Sequence, residues 1–156
     1  MMLKPKSLRE TLINHVPLLA QNPARLQVLM PSGQIVSTFA PSLSFEYHYQ
    51  LRLIVTDYTD DIDLIIVPIL VWLRENQPEM MASAEKCRTG FTFKTEAVSD
   101  ACCNINIDLQ LTERVMVRQE EDALHVDHLG EPPLPENVNR PIRLYVNGVL
   151  LSELHA

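Results

Sequence analysis

Four carboxylates crowd one short stretch, Asp57, Asp60, Asp61 and Asp63, and hard divalent cations seek clustered carboxylate oxygens. The spacing is not that of a calcium loop, and no glycine stands where such a loop needs one. Acidic residues also suit the start of a helix, where they face the positive end of its dipole, and Asp60 or Asp61 can cap that end. The helix-start reading is preferred. His125-Val126-Asp127-His128 and the three cysteines, Cys87, Cys102 and Cys103, hold donors for zinc. Structural zinc sites pair their ligands at spacings of two to five residues, whereas here two cysteines are adjacent and the third stands alone. Buried thiols and exposed histidines are expected, with no metal.

Serine, histidine and aspartate are all present, so nucleophilic catalysis has its raw materials. It also needs a strained turn for the nucleophile and a positioned base. No Gly-x-Ser-x-Gly motif or cysteine-protease context surrounds any of them, and none of the four glycines lies in a phosphate-cradling loop. No catalytic residue and no cofactor is expected, and an enzyme is the outsider among the readings.

What remains are the elements that would carry such groups. From Phe45 to Thr56 an apolar or aromatic side chain holds every odd position, and a polar one holds every even position except Ile54. That alternation predicts a strand of about 40 Å, with Phe45, Tyr47, Tyr49, Leu51, Leu53 and Val55 on one buried face. Asn104 to Val117 repeats the pattern, with Ile105, Ile107, Leu109 and Leu111 inward. The outward residues are short amides, hydroxyls and isolated charges, suited to hydrogen bonding across a subunit boundary. His48, Gln50 and Arg52, with Asn104, Asn106, Asp108 and Gln110, are therefore the candidate contact surface.

Ser7 and Glu10 read as a capping box that opens a helix, with Leu8, Leu12, Val16 and Leu19 as its apolar stripe and a kink at Pro17 before it stops at Asn22-Pro23. Arg25 to Met30 and Ile35 to Phe39 read as a hairpin turning at Pro31-Ser32-Gly33-Gln34. A second, buried helix runs through Leu64 to Asn76, with Trp72 as a core residue. Phe91-Thr92-Phe93 is strand-like, Lys94 to Cys102 reads as a loop, and Ala123 to Leu129 is a weaker strand. Glu131 to Pro135 is stiff and proline-rich, and Asn147-Gly148 centres a closing hairpin. The fold class is α+β: a mixed, mostly antiparallel sheet with two long amphipathic strands, packed against an N-terminal and a central helix. One domain spans 1–156, with a connector at 131–141 and a hairpin at 142–152.

Composition narrows the function further. A chain of 156 residues can bury a core of its own. A net charge of −7 with no Lys/Arg run disfavours nucleic acid as a partner. The longest apolar run, Leu64 to Leu73, spans 10 residues, about half of a membrane crossing, and no signal peptide is read at the start. A soluble protein made in the cytoplasm is the expectation.

With these elements placed, the chain resembles the tail completion protein R family of P-two-like contractile-tailed bacteriophages and prophages. The resemblance rests on the opening Leu-Lys-Pro-x-Ser-Leu-Arg; on Ala40 with Ser42 to Glu46; on Ile54-Val55-Thr56-Asp57; and on Ile66-Val67-Pro68 with Trp72 to Pro78. Gly90 to Phe93, Leu111 to Arg114, Ala123 to Val126, Glu131-Pro132-Pro133 and Arg140-Pro141 extend it. The helix containing Pro17 and the stretch from Met80 to Cys103 diverge.

The resemblance implies a minor virion protein at the head-proximal end of the tail. It would cap the tail tube, end polymerisation and prepare the tail for head joining, assembling in the host cytoplasm. The element order is similar to the tail terminator fold, which implies a six-fold ring of this chain. The implied partners are copies of itself, the tail tube protein and, beyond these, sheath, head-connector or other completion proteins. Glu131, Pro132, Pro133 and Pro135, together with a loop from Met80 to Lys94, are the candidate docking arms. A joining factor without length control, or a part of a prophage-derived contractile bacteriocin, would share almost every feature.

Overall fold

The computed structural model describes residues 2–37, 42–131 and 143–153. Helix α1 (Leu3–His15) and the short α2 (Pro17–Gln21) lead into strand β1 (Leu26–Ser37) and the long β2 (Phe45–Tyr58). Helix α3 (Asp63–Asn76) and α4 (Ala84–Gly90) precede β3 (Phe91–Ser99), β4 (Cys102–Glu120) and β5 (Ala123–Leu129). A small hairpin, β6 (Arg143–Val146) and β7 (Val149–Glu153), follows. The main sheet is antiparallel in the order β1-β2-β4-β3, and β5 pairs with the far end of β4. This is the α+β architecture expected, with helices on one face of a sheet.

The alternation in β2 and β4 works as read from Tyr49 onward, whereas Phe45 and Tyr47, expected on the buried face, are only half-buried at the start of β2. Leu51 lies opposite Leu109, Leu53 opposite Ile107 and Val55 opposite Ile105, and all six are buried. Leu8, Leu12 and Leu19 from the first two helices, Val16 between them, and Ile65, Ile69, Trp72 and Leu73 from α3 pack on that face. Each such side chain contributes roughly 1.5–3 kcal/mol by leaving water.

Several local expectations are corrected. Helix α1 starts at Leu3, not Ser7. A carboxylate from β4, Glu113, accepts from the Leu3 amide at 2.9 and 3.0 Å and from the Lys4 amide at 2.8 Å, so a distant side chain replaces the local capping box. The Ser7 hydroxyl instead accepts from Trp72 Nε1 at 3.0 Å, tying α1 to α3. Pro17 breaks the helix rather than kinking it. Val16 is extended, and Pro17 takes the first turn of α2, where its missing N–H is harmless.

The hairpin expected over residues 25–39 is one strand instead, from Leu26 to Ser37, with residues 38 and 39 outside the described residues. β1 runs straight through Pro31 with a bulge between Leu29 and Ser32, and an edge strand tolerates proline at a bulge. Lys94 to Ser99 belongs to β3, paired with β4. The expected Met80–Lys94 loop contains α4, capped by the Ser83 hydroxyl on the Lys86 amide, and then the start of β3.

Asp61 does open α3 through its side chain, accepting from the Asp63 amide at 3.0 Å. Asn147 and Gly148 both have positive φ, 51° and 80°, as the tight turn of the closing hairpin requires.

Candidate functional site

The seven candidate contact residues lie where the alternation puts them, on the sheet face away from the helices. Arg52 stands opposite Asp108, Gln50 opposite Gln110, and Asn106 opposite Ile54. β1 and β3 extend this face with Gln27, Ser32 and Gln34 on one side and Thr92, Lys94 and Glu96 on the other.

Part of the surface is already engaged within the chain. Arg52 donates to both Asp108 oxygens, at 2.8 and 3.2 Å. Hydrogen bonding from Arg52 holds the Asp108 carboxyl below the usual carboxylate range. Asn104 Oδ1 accepts from the Asp57 amide at 3.0 Å, which fixes a bulge where Asp57 has φ 53°. His48 faces Glu46 at 3.2 Å. Gln110 and Asn106 are exposed.

The face is not flat. A depression of about 450 Å³ opens between β1, β2 and β4, lined among others by Ser32, Gly33, His48, Gln50 and Gln110. A second, of about 270 Å³, lies beside it against α4, sharing His48, Gln110 and Thr112.

Beneath this surface is a polar cluster that sequence reasoning missed. β3 leaves β4 at Leu109 and β5 joins it at Arg114, so one edge of β4 lacks a strand between them. Buried main-chain groups there need partners, and side chains supply them. Gln77 Oε1 accepts from the Thr112 amide at 3.1 Å, and Lys4 Nζ donates to the Thr112 carbonyl. Lys4 also donates to Gln77 Oε1 at 2.7 Å and pairs with Glu131 at 3.1 Å. One step along β4, Glu113 holds the start of α1 and meets His128 Nδ1 at 2.5 Å, while the His128 ring stacks on Tyr47.

Lys4, Gln77 and Glu113 are the buried polar side chains of the described residues. Glu131 thus ends the preceding described stretch on a pair with the buried Lys4. Pro132, Pro133 and Pro135 lie outside the described residues. The signal for most of this cluster was present in the sequence: Lys4, Gln77, Thr112, Glu113 and Glu131 come from the opening, Trp72–Pro78, Leu111–Arg114 and Glu131–Pro133 blocks, while His128 lies outside them.

The chemistry-bearing residues do not converge. His125 lies near Glu120 at the tip of β4–β5 and His128 is held by Glu113. Cys87 donates to the Met80 carbonyl, and Cys102 lies by Asp57, where burial first and the carboxylate second push its thiol pKa up. No group of three or more His, Cys, Asp or Glu among the described residues could hold a metal. No helix there is long and apolar enough to cross a membrane.

Comparison with known proteins supplies what the surface chemistry leaves open. No solved structure matches the chain. Over 152 residues it is 51% identical to the tail completion protein R of Escherichia phage P2, covering 97% of this chain and 98% of that protein. The model of the family described as P2 phage tail completion protein R (GpR) matches residues 2–132, and the chain belongs to that family.

Proposed function

We propose that this tail completion protein caps the head-proximal end of the tail tube as a ring of identical copies, ends polymerisation and presents the surface to which a filled head joins. The observation that carries the reading is the likeness to a tail completion protein over nearly the whole length of both chains. The sheet supports it physically. A closed ring needs two different patches that meet between neighbours, and the polar face of β2 and β4 with its two depressions offers broad hydrogen-bonding ground for one of them. The activity requires no covalent step, and the tube protein and head connector are the partners the role entails.

The proline-rich segment from Pro132 onward is the proposed docking arm. Glu131 is better left in place, because it neutralises the buried Lys4. Deleting residues 132–135 is expected to leave the domain folded and to block head attachment; normal attachment by that variant would remove the arm from the mechanism.

The test of the function itself is negative-stain microscopy of tails from cells whose phage or prophage carries a stop codon in this reading frame. Overlong tubes without heads are expected. Tails of normal length that fail to join heads would make the protein a joining factor instead, and intact infectious particles would overturn both.

A further inference from the structure

The pairing of β4 with β2 stops at Val115 and its pairing with β3 at Leu109, and the Ser44 hydroxyl accepts from the Val117 amide at 3.0 Å, so beyond Val117 the ribbon formed by β4 and β5 has no flanking strand among the described residues. On its helix-side face Leu124 and Val126 are each 57% exposed, and a bare two-stranded ribbon is marginal in water. Its tip is acidic. Arg118 bonds Glu120 and Asp127, but among the described residues Glu121 and Asp122 have no ion pair.

Elsewhere, between α1 and the edge strand β1, a groove of about 370 Å³ has an apolar floor that includes Val28 and Leu51, and Lys6, Arg9, Leu29 and Met30 also line it. Lys6 has no ion pair among the described residues either. Arg9 reaches down to the Leu26 carbonyl.

We propose that the β4–β5 ribbon of one copy docks into the α1/β1 groove of the next, with Leu124 and Val126 on the apolar floor and Glu121 and Asp122 against Lys6 and Arg9. The two patches differ in shape and in sign of charge, so the contact is heterologous, each copy giving a ribbon and receiving one. Opposed charges set register and orientation in such a contact. The inference deepens the ring reading above and names which surfaces meet.

The test couples lysine to carboxylate with a zero-length carbodiimide in a mixture of ¹⁴N- and ¹⁵N-labelled full-length chain at high concentration. The expected product is an isotopically mixed peptide joining Lys6 to Glu121 or Asp122. Lys6→Glu abolishes the coupling, and Glu121→Lys lowers its yield about tenfold, the scale of one lost interfacial charge pair. The double variant restores a lysine and a carboxylate at opposite ends of the contact and regains the coupled product. All these sites are exposed, and an unchanged urea midpoint confirms that folding is intact. Absence of any mixed Lys6 product, or failure of the double variant to recover, overturns the contact.

Complementation of the stop-codon phage separates the two levels. If wild type is required for tails but the coupling is absent, the docking falls and the tail role stands. If the coupling is present but the stop-codon phage is infectious, the tail role falls and the contact stands.

Discussion

β4 passes through two different environments along its 19 residues. From Ile105 to Leu111 its inward side chains are sealed under three helices, with a strand on each flank for most of the way. From Met116 onward the alternation lapses into Met116-Val117 and then Arg118-Gln119-Glu120, no helix among the described residues lies above it, and every residue from Arg118 to Asp127 is exposed. Identical backbone geometry thus serves a core in one half and an open surface in the other. What separates the halves is the cluster at Thr112 and Glu113, where buried side chains replace a missing strand and fasten the start of α1. The first half is buried within the chain; the second leaves apolar side chains and charges exposed.

The largest test of that contrast is a pair of truncations. Ile107→Ala leaves a cavity at a fully buried site and is expected to cost about 4 kcal/mol. Val126→Ala, on the ribbon, is expected to cost about 0.5 kcal/mol in the isolated chain. Urea unfolding of both variants measures the difference, and equal losses would mean that the ribbon is part of the same cooperative core.

Next comes the boundary itself. Glu113→Ala leaves the Leu3 and Lys4 amides and His128 without their shared acceptor, for an expected loss of about 3 kcal/mol. Because the carboxylate holds one end of α1, hydrogen exchange should show that helix opening first, while the amides of β2 and the Ile105–Leu109 part of β4 stay protected. Uniform loss of protection would show that the cluster stabilises the whole sheet rather than joining its halves.

A smaller effect is expected at Gly33, on the exposed stretch of β1. A Cβ there would stand 2.9 Å from Tyr49 Cβ and 3.2 Å from the His48 carbonyl oxygen, so Gly33→Ala must push the edge strand outward, at about 1–2 kcal/mol. Tyr49 belongs to the core while Gly33 does not, so this variant probes the comparison across strands rather than along one. A fully stable variant would show that the edge strand shifts freely.

The contrast also explains what could be read from the sequence. β2, β4 and α3 were legible because burial on one face imposes a period on the side chains, and the Asn147-Gly148 turn because its dihedral angles select its residues. β1 and β3 were legible only in pieces, as two short runs and as Phe91-Thr92-Phe93, because exposure on both faces removes the period from the rest. Phe93 is 58% exposed and Ile35 70%, so Pro31 and Gly33 looked like a turn when they mark a bulge in an edge strand. The start of α1 was misplaced for another reason: its cap, Glu113, comes from about 110 residues away, and a local capping pattern at Ser7 competed with it. On the polar face, residue types and positions were foreseen, but not that Arg52 and Asp108 would satisfy each other. Spacing along a chain gives the face of a strand, not the register between strands.

That pair gives the finest test, since it asks how much of the outer face contributes to stability before any neighbour arrives. The Asp108 carboxyl is held below its ordinary pKa chiefly by the hydrogen bond from Arg52. The stabilisation is therefore present above the unfolded-state value of about 3.9 and is lost as pH falls through the lower folded-state value. The urea midpoints of wild type and Asp108→Asn should differ by a small, constant amount from pH 7 to about pH 5, and the gap should close below about pH 4. The effect is small because Arg52 is well exposed to water, where screening weakens the pair. If the gap persists into acid, then side-chain packing rather than charge distinguishes the two chains, and this face behaves like the core half of β4. If it closes, the polar face is a solvated surface whose charges are only lightly committed, and an approaching subunit could rearrange them at little cost.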